Sequence, residues 1–280
     1  MREAQAIVER HPLISFFVLA YGLTWPVIPL VSVSPLLGLP ALFGPAIAAI
    51  IVSVVTQGKT GLKDLLGRLM RWRVGARWYA IALGLPAVLA STAAGVHLLL
   101  GGTAAIRFGG LSVLNFVVFV LVVGEELGWR GYALPRLLVG RSALAASLIL
   151  GVLWAAWHLP TFFVPGAPQY GLPFLAFLLF TVAYSVLFSW VYVHTRGSVL
   201  IATLFHGAIN LSQGFFLGGI EPAREYWLLT FVYGVAVLAV ALMFGSKLSR
   251  NASSGSGESE DRRFSSTREP AEKQGRDQPI

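Results

Sequence analysis

Long apolar stretches alternate with short polar connections over most of this 280-residue chain. A helix needs about 20 apolar residues to cross the hydrocarbon core of a bilayer, and the pattern predicts eight such spans. Their bounds are Pro12–Val33, Leu36–Thr56, Trp78–Leu100, Leu111–Leu134, Ala143–Val164, Leu172–His194, Ser198–Leu217 and Tyr226–Phe244. We therefore predict an all-α fold, a polytopic membrane bundle of about eight transmembrane helices.

The composition agrees with this prediction and shows where the charge lies. Hydrophobic residues make up 56% of the chain and charged residues only 12%, against about 25% charged residues in soluble domains. The net charge is +8, but the basic residues flank apolar spans. Retention of basic loops in the cytoplasm explains them better than nucleic-acid binding does. We expect membrane lipid as a partner and no nucleic acid.

The loop charges also predict an orientation. Basic residues follow the second, fourth, sixth and eighth spans, whereas the loops on the other side offer only Arg107 and Arg224. The loops with the basic excess are Lys59–Arg77, Arg136 with Arg141, Arg196, and Lys247 with Arg250. This alternation predicts both termini in the cytoplasm, and the protein is expected in the plasma (inner) membrane.

Two segments are predicted to lie outside the spans. Residues 61–74 place leucines against basic residues at helical spacing, which predicts an amphipathic helix on the inner leaflet; an ordinary basic loop is the alternative. Residues 248–280 are rich in Ser, Gly and charge, which predicts a disordered cytoplasmic tail. Residues 1–247 then form the membrane domain.

The most informative polar residues are two adjacent carboxylates in the fourth span. Glu125 and Glu126 are the only acidic residues between Asp64 and Glu221. Carboxylates in hydrocarbon cost several kcal/mol each unless they are paired or hydrated. Glu126 and Arg130 are four residues apart and share a helix face, so they are predicted to pair. Glu125 is then free for proton transfer.

Two later spans add imidazole and amide groups. His158 follows Trp154 by four residues in the fifth span, and His206 precedes Asn210 by four in the seventh. A tight turn near Gly140–Ser142 predicts a hairpin of the fourth and fifth spans. Glu125 and His158 each lie about 16 residues, or roughly 24 Å, from that turn, so they should lie at the same depth. The depth of His206 and Asn210 is compatible with that level.

These groups favour hydrolysis. Glu125 could activate a water, His158 could orient the water or bind a metal, and His206 with Asn210 could donate hydrogen bonds to the oxyanion. Zinc held by Glu125, His158 and His206 is equally open, although no H-E-x-x-H motif is present. The chain has no cysteine, no pair of membrane aspartates and no G-x-S-x-G motif. A proton-coupled transporter and buried polar groups that only fasten helices remain as alternatives.

Three motifs together resemble a known family. E-E-x-x-x-R at Glu125, Glu126 and Arg130, an aromatic-x-x-x-His at Trp154 and His158, and His-x-x-x-Asn at His206 and Asn210 resemble the CPBP family. Its members are type II CAAX prenyl endopeptidases and bacteriocin-processing enzymes, described as intramembrane metalloproteases. The family usually has Phe where this chain has Trp154, so an aromatic residue is kept.

The resemblance implies a fold, an activity and roles for the six residues. It implies eight helices, a protease-like domain over residues 1–247 and a motif core over about 111–217. Glu125 would be the base and His158 would share its water, while Glu126 and Arg130 would organise the site. His206 and Asn210 would stabilise the oxyanion, and the metal stays open.

The expected function is therefore an intramembrane endopeptidase acting on a membrane-associated peptide or protein, either prenylated, as in the eukaryotic branch, or leader-bearing. A non-catalytic immunity or scaffold member of the same family is the alternative.

Overall fold

The computed structural model describes residues 2–103 and 113–249. Helices joined by short turns make up most of these two ranges, and no β-strand occurs within them. The α-helices are α1 (Arg2–Arg10), α2 (Pro12–Thr24), α3 (Gly44–Leu69), α4 (Ala76–Leu99), α5 (Val113–Leu121), α6 (Val123–Glu126), α7 (Leu134–Leu137), α8 (Ala143–Trp157), α9 (Phe174–His194), α10 (Val199–Phe216) and α11 (Pro222–Phe244). Shorter pieces join them: 3-10 segments at Ile28–Ser32, Pro35–Phe43 and Leu159–Phe162, and a π-helical segment at Leu127–Ala133.

Six helical stretches in the described ranges are long and apolar enough to cross a membrane. They are Pro12–Ser32, Pro35–Leu69, Ala76–Leu99, Phe174–His194, Val199–Phe216 and Pro222–Phe244. The predicted fold class is confirmed: the chain is an all-α polytopic bundle, and the protein is an integral membrane protein.

The other two predicted spans, Leu111–Leu134 and Ala143–Val164, contain shorter helical pieces. The first begins outside the described residues and then passes through α5, α6 and the π-helical segment. In the second, Pro160 cannot donate a backbone hydrogen bond, and α8 ends just before it at Trp157. A helix of this length covers roughly 22 Å, less than the 30 Å of a bilayer core. The count of eight complete spans stays a prediction.

The predicted amphipathic helix is the second half of α3. Gly58 has φ of +60° and bends α3 between its apolar first half and this basic second half. The helix ends at Leu69, whereas the prediction extended it to Val74. Beyond Leu69 the carbonyls of Arg71 and Arg73 accept hydrogen bonds from side chains of another loop instead of continuing the helix.

That other loop joins α9 to α10, and the two basic loops contact each other directly. Arg71 donates to the carbonyl of Arg196 at 2.6 Å, and Arg196 donates to the carbonyl of Arg73 at 2.7 Å. The hydroxyl of Ser198 donates to the carbonyl of Arg71 at 2.7 Å. The loops that follow the second and sixth predicted spans therefore lie at the same end of the bundle. That this end faces the cytoplasm stays a prediction.

The predicted turn between the fourth and fifth spans is present. Gly140 takes a left-handed conformation, with φ of +74°, between α7 and α8. Ser142 then caps α8, its hydroxyl accepting a hydrogen bond from the backbone N–H of Ala145 at 3.2 Å. This turn reverses the chain, so α8 runs back along the segment that carries Glu125 and Glu126.

The predicted tail, residues 248–280, lies outside the described residues except for Leu248 and Ser249. Leu248 is buried in the core of the bundle. The disorder predicted for the rest of the tail stays a prediction.

Candidate active site

Two glycines allow the acidic segment to lie directly against the 3-10 segment Pro35–Phe43 and the start of α3. Gly124 and Gly128 are four residues apart and so share a helix face. A Cβ atom at Gly124 would lie 2.6 Å from the carbonyl oxygen of Leu42, and one at Gly128 would lie 2.7 Å from that of Pro45. No larger residue fits at these distances without movement of the backbone. The face of this segment that carries the carboxylates is thus held toward α8 and α10.

Glu126 forms the buried ionic centre of the bundle. Its Oε1 atom accepts a hydrogen bond from Nη1 of Arg130 at 3.0 Å, and the predicted ion pair is confirmed. The same oxygen lies 2.8 Å from Nδ1 of His206 on α10. Both members of the pair are fully buried. One carboxylate oxygen therefore joins the π-helical segment to α10 through two charge-assisted contacts.

Aromatic rings enclose the guanidinium group of Arg130. Its Cζ atom lies 3.7 Å from the ring centroid of Phe188 and 4.3 Å from that of Trp154. The π faces of these rings attract a cation and exclude water from it. Arg130 is consequently fixed both by its carboxylate partner and by the walls around it.

Glu125 points away from this ion pair toward α8. Its Oε2 atom accepts a hydrogen bond from the indole N–H of Trp154 at 3.0 Å, and 4% of the residue is exposed. One turn further along, Nδ1 of His158 lies 2.9 Å from the backbone carbonyl of Trp154. A carbonyl only accepts, so Nδ1 of His158 carries the proton, and in the neutral ring Nε2 has a free lone pair.

A cavity of about 590 Å³ collects the predicted site residues. Glu125, His158, His206 and Asn210 all line it, so the structure brings the side chains of these four residues to one cavity. Glu126 and Arg130 lie fully buried behind its wall. The volume is within the range of small-molecule and peptide side-chain sites.

The comparisons with known proteins decide the family. The model of the type II CAAX prenyl endopeptidase Rce1-like family matches residues 107–212, a range that contains all six predicted site residues. The chain is also 30% identical over 202 residues to CAAX prenyl protease 2 of Methanococcus maripaludis, covering 64% of this chain and 71% of that protein. The chain belongs to the Rce1-like family of type II CAAX prenyl endopeptidases.

The site of this family member also contains residues that the sequence pattern did not single out for a role. Phe188 and Tyr184 on α9 pack around the motif residues, with Tyr184 5.8 Å from His206 between ring centroids. Glu225 and Gln213 line the cavity beside the motif residues. In the sequence, the aromatic residues look like any apolar position of a span. Glu225 looks like a loop charge next to Arg224.

The zinc set predicted from the sequence can be tested against the donor atoms. Among the described residues, no group of three or more His, Asp and Glu side chains is arranged to hold a metal ion. Oε2 of Glu125 is engaged by Trp154, and Nδ1 of His206 by Glu126. No such group includes Glu125, His158 and His206, and the zinc site stays a prediction.

Proposed function

We propose that this protein is an intramembrane endopeptidase that hydrolyses a peptide bond of a membrane-associated peptide with a water activated by Glu125 and His158. The observation that carries the proposal is the pair of acceptors at the cavity wall. Glu125 presents a carboxylate that lacks a cationic side chain bonded to it in the described residues, and Nε2 of His158 presents a free lone pair. Both are groups that take a proton from water.

Trp154 holds these two acceptors in one orientation. Its indole N–H binds the carboxylate of Glu125, and its backbone carbonyl binds the ring of His158. A water between the two acceptors would lose a proton to Glu125 as its oxygen attacks the carbonyl carbon of the substrate. Glu125 would then return that proton to the leaving amine. The fixed geometry lowers the entropy cost of reaching the transition state.

His206 and Asn210 supply the hydrogen bonds to the developing oxyanion. The side-chain amide of Asn210 donates without any change of protonation. His206 already uses Nδ1 toward Glu126, so donation from Nε2 as well needs both ring nitrogens protonated. Glu126 faces that ring and compensates its charge. Glu126 and Arg130 thus support the oxyanion site from behind the wall.

The substrate is a peptide or protein held at the membrane. The cavity opens among helices that are long enough to span a bilayer, and its wall includes apolar residues of the two 3-10 segments between α2 and α3, among them Ile28 and Leu39. A lipid-modified or leader-bearing peptide would present an apolar part to that wall. The name of the archaeal relative, CAAX prenyl protease 2, makes prenylated peptides the first class to test.

Hydrolysis can be detected without knowing the substrate. Purified wild type and Glu125→Gln, each in lipid, are incubated in ¹⁸O-labelled water with a peptide library that includes farnesylated members. We expect wild type to produce fragments with ¹⁸O in the new carboxyl group and Glu125→Gln to produce none. Equal cleavage by both proteins would contradict the role of Glu125, and no cleavage by wild type would favour a non-catalytic member of the family.

A parallel reaction with a chelator separates the two mechanisms. Cleavage that persists in the chelator supports water activated by Glu125 and His158 alone. Loss of cleavage that returns on addition of zinc would instead support the metal set of Glu125, His158 and His206.

A further inference from the structure

The lining of the cavity is unbalanced in charge. Among the described residues that line it, two are carboxylates, Glu125 and Glu225, and none is lysine or arginine. Glu126, behind the wall, faces both His206 and Arg130. The described part of the lining thus offers a ligand two carboxylates and no side chain that is always cationic.

Of these two carboxylates, Glu225 is the one that the proposed hydrolysis does not use. It lies in the first turn of α11, an element that carries none of the family motif residues. Its side chain is partly buried, and no hydrogen bond or ion pair to its carboxylate occurs among the described residues. A carboxylate removed from water is unfavourable until it meets a cation or hydrogen-bond donors.

Its neighbour Glu221 shows that capping α11 does not require Glu225. The carboxylate of Glu221 accepts hydrogen bonds from the backbone N–H groups of Ala223 and Arg224, at 3.0 and 2.8 Å. The helix start is thus already capped, and the side chain of Arg224 is exposed to solvent rather than among the cavity residues. Glu225 remains as a carboxylate directed to the cavity and available to a ligand.

We propose that Glu225 determines substrate specificity by binding a lysine or arginine side chain of the peptide. This inference rests on the proposed function, because it assumes that a peptide occupies the cavity. The apolar stem of a basic side chain can lie along apolar wall residues such as Val31, while its charged end reaches the carboxylate. Glu225 would thereby fix the position of the basic residue relative to the scissile bond beside Glu125.

Binding of matched peptides tests the proposal separately from catalysis. The probes are fluorescent farnesylated peptides that carry lysine, its uncharged analogue norleucine, or glutamate at one position at a time. Their affinities are measured by fluorescence anisotropy for Glu125→Gln protein in phosphatidylcholine nanodiscs, so that neither turnover nor lipid charge contributes. We expect lysine at one position to bind about tenfold more tightly than norleucine.

Two variants at Glu225 and one control test whether Glu225 causes the lysine preference. In the Glu125→Gln background, Glu225→Gln should reduce the lysine preference to less than about twofold, and Glu225→Lys should favour the glutamate peptide. Glu221→Ser removes an exposed charge from the same helix start and retains an oxygen that can cap it. This control should keep the full preference.

The outcomes separate this inference from the proposed function. Absence of a lysine preference at every position, absence of binding by every peptide, or a preference that survives Glu225→Gln would each overturn the role of Glu225. Cleavage by wild type is scored independently with the same peptides. Selective binding without cleavage would support Glu225 as a specificity residue and contradict the proposed endopeptidase activity. Cleavage without a lysine preference would support the endopeptidase activity and contradict the role of Glu225.

Discussion

Glu126, Arg130 and His206 form a buried network that is only partly satisfied. In the described part of the chain, Oε2 of Glu126 and the Nε and Nη2 atoms of Arg130 have no hydrogen-bond partner. Buried ion pairs with unsatisfied atoms seldom stabilise a fold more than apolar residues of the same size would. The network is better explained by the site it supports, because it holds His206 at the cavity wall.

Removal of one partner from this network should be severe. Arg130→Ala leaves the carboxylate of Glu126 buried without its cation, and we expect the free energy of unfolding to fall by about 3 to 5 kcal/mol. The measurement is reversible unfolding in detergent. The control is Arg141→Ala, at an exposed arginine in the turn between α7 and α8. It should change the free energy of unfolding by less than about 0.5 kcal/mol. Similar stability of both variants would disprove the importance of the pair.

The residues of the site were largely predictable because charge in an apolar span is rare. Glu125, Glu126 and Arg130 stand out in the sequence, and helical spacing alone paired the last two. The indole of Trp154 as a donor to Glu125 and the rings around Arg130 were not predictable, because their roles depend on the rotation of α8 and α9 about their axes. Glu225 was missed because a residue at the end of a span can face either solvent or a cavity.

At the scale of elements, the unusual feature is the change from α6 to a π-helical segment directly after the two carboxylates. The wider turn shifts the register of the side chains that follow, Arg130 included. Such turns are short and frequent at functional sites. The hydrophobic pattern predicted the span but not this turn, because a stretch with apolar residues on nearly every face carries no periodicity that would mark a change of helix type.

The close contact of Gly128 with α3 predicts that a larger residue at this position destabilises the protein. Gly128→Ala places a Cβ atom against the backbone of Pro45, so we expect a loss of roughly 1 to 3 kcal/mol in the free energy of unfolding, together with reduced activity. Gly84→Ala is the matched control, since α4 leaves open space there. That variant should be neutral or up to about 1 kcal/mol more stable. Equal effects of the two substitutions would contradict the close packing of the π-helical segment on α3.

At the scale of the whole molecule, the charge pattern predicts the arrangement of loops correctly where the structure tests it. The loops around Arg71 and Arg196 lie at one end and bind each other's backbone. The cytoplasmic placement of this end is a prediction from the loop charges. The sequence predicted the presence of the spans better than their lengths. The fifth span is an example, because α8 ends at Trp157, before Pro160, instead of continuing to Val164.

The absence of cysteine from the chain allows a direct test of orientation. Single variants Arg141→Cys and Arg224→Cys each place a thiol at an exposed position. In intact cells, a membrane-impermeant maleimide should label Arg224→Cys and leave Arg141→Cys unlabelled until the membrane is permeabilised. The opposite labelling would reverse the predicted placement of the termini.

The most direct test of the account is the turnover of Glu125→Gln on a peptide that wild type cleaves, with Glu9→Gln as a control at an exposed carboxylate. We predict that kcat of Glu125→Gln falls by about 100-fold to 10,000-fold, that its melting temperature stays close to that of wild type, and that Glu9→Gln retains full activity. Turnover of Glu125→Gln at the wild-type rate would contradict the central claim that Glu125 activates the water.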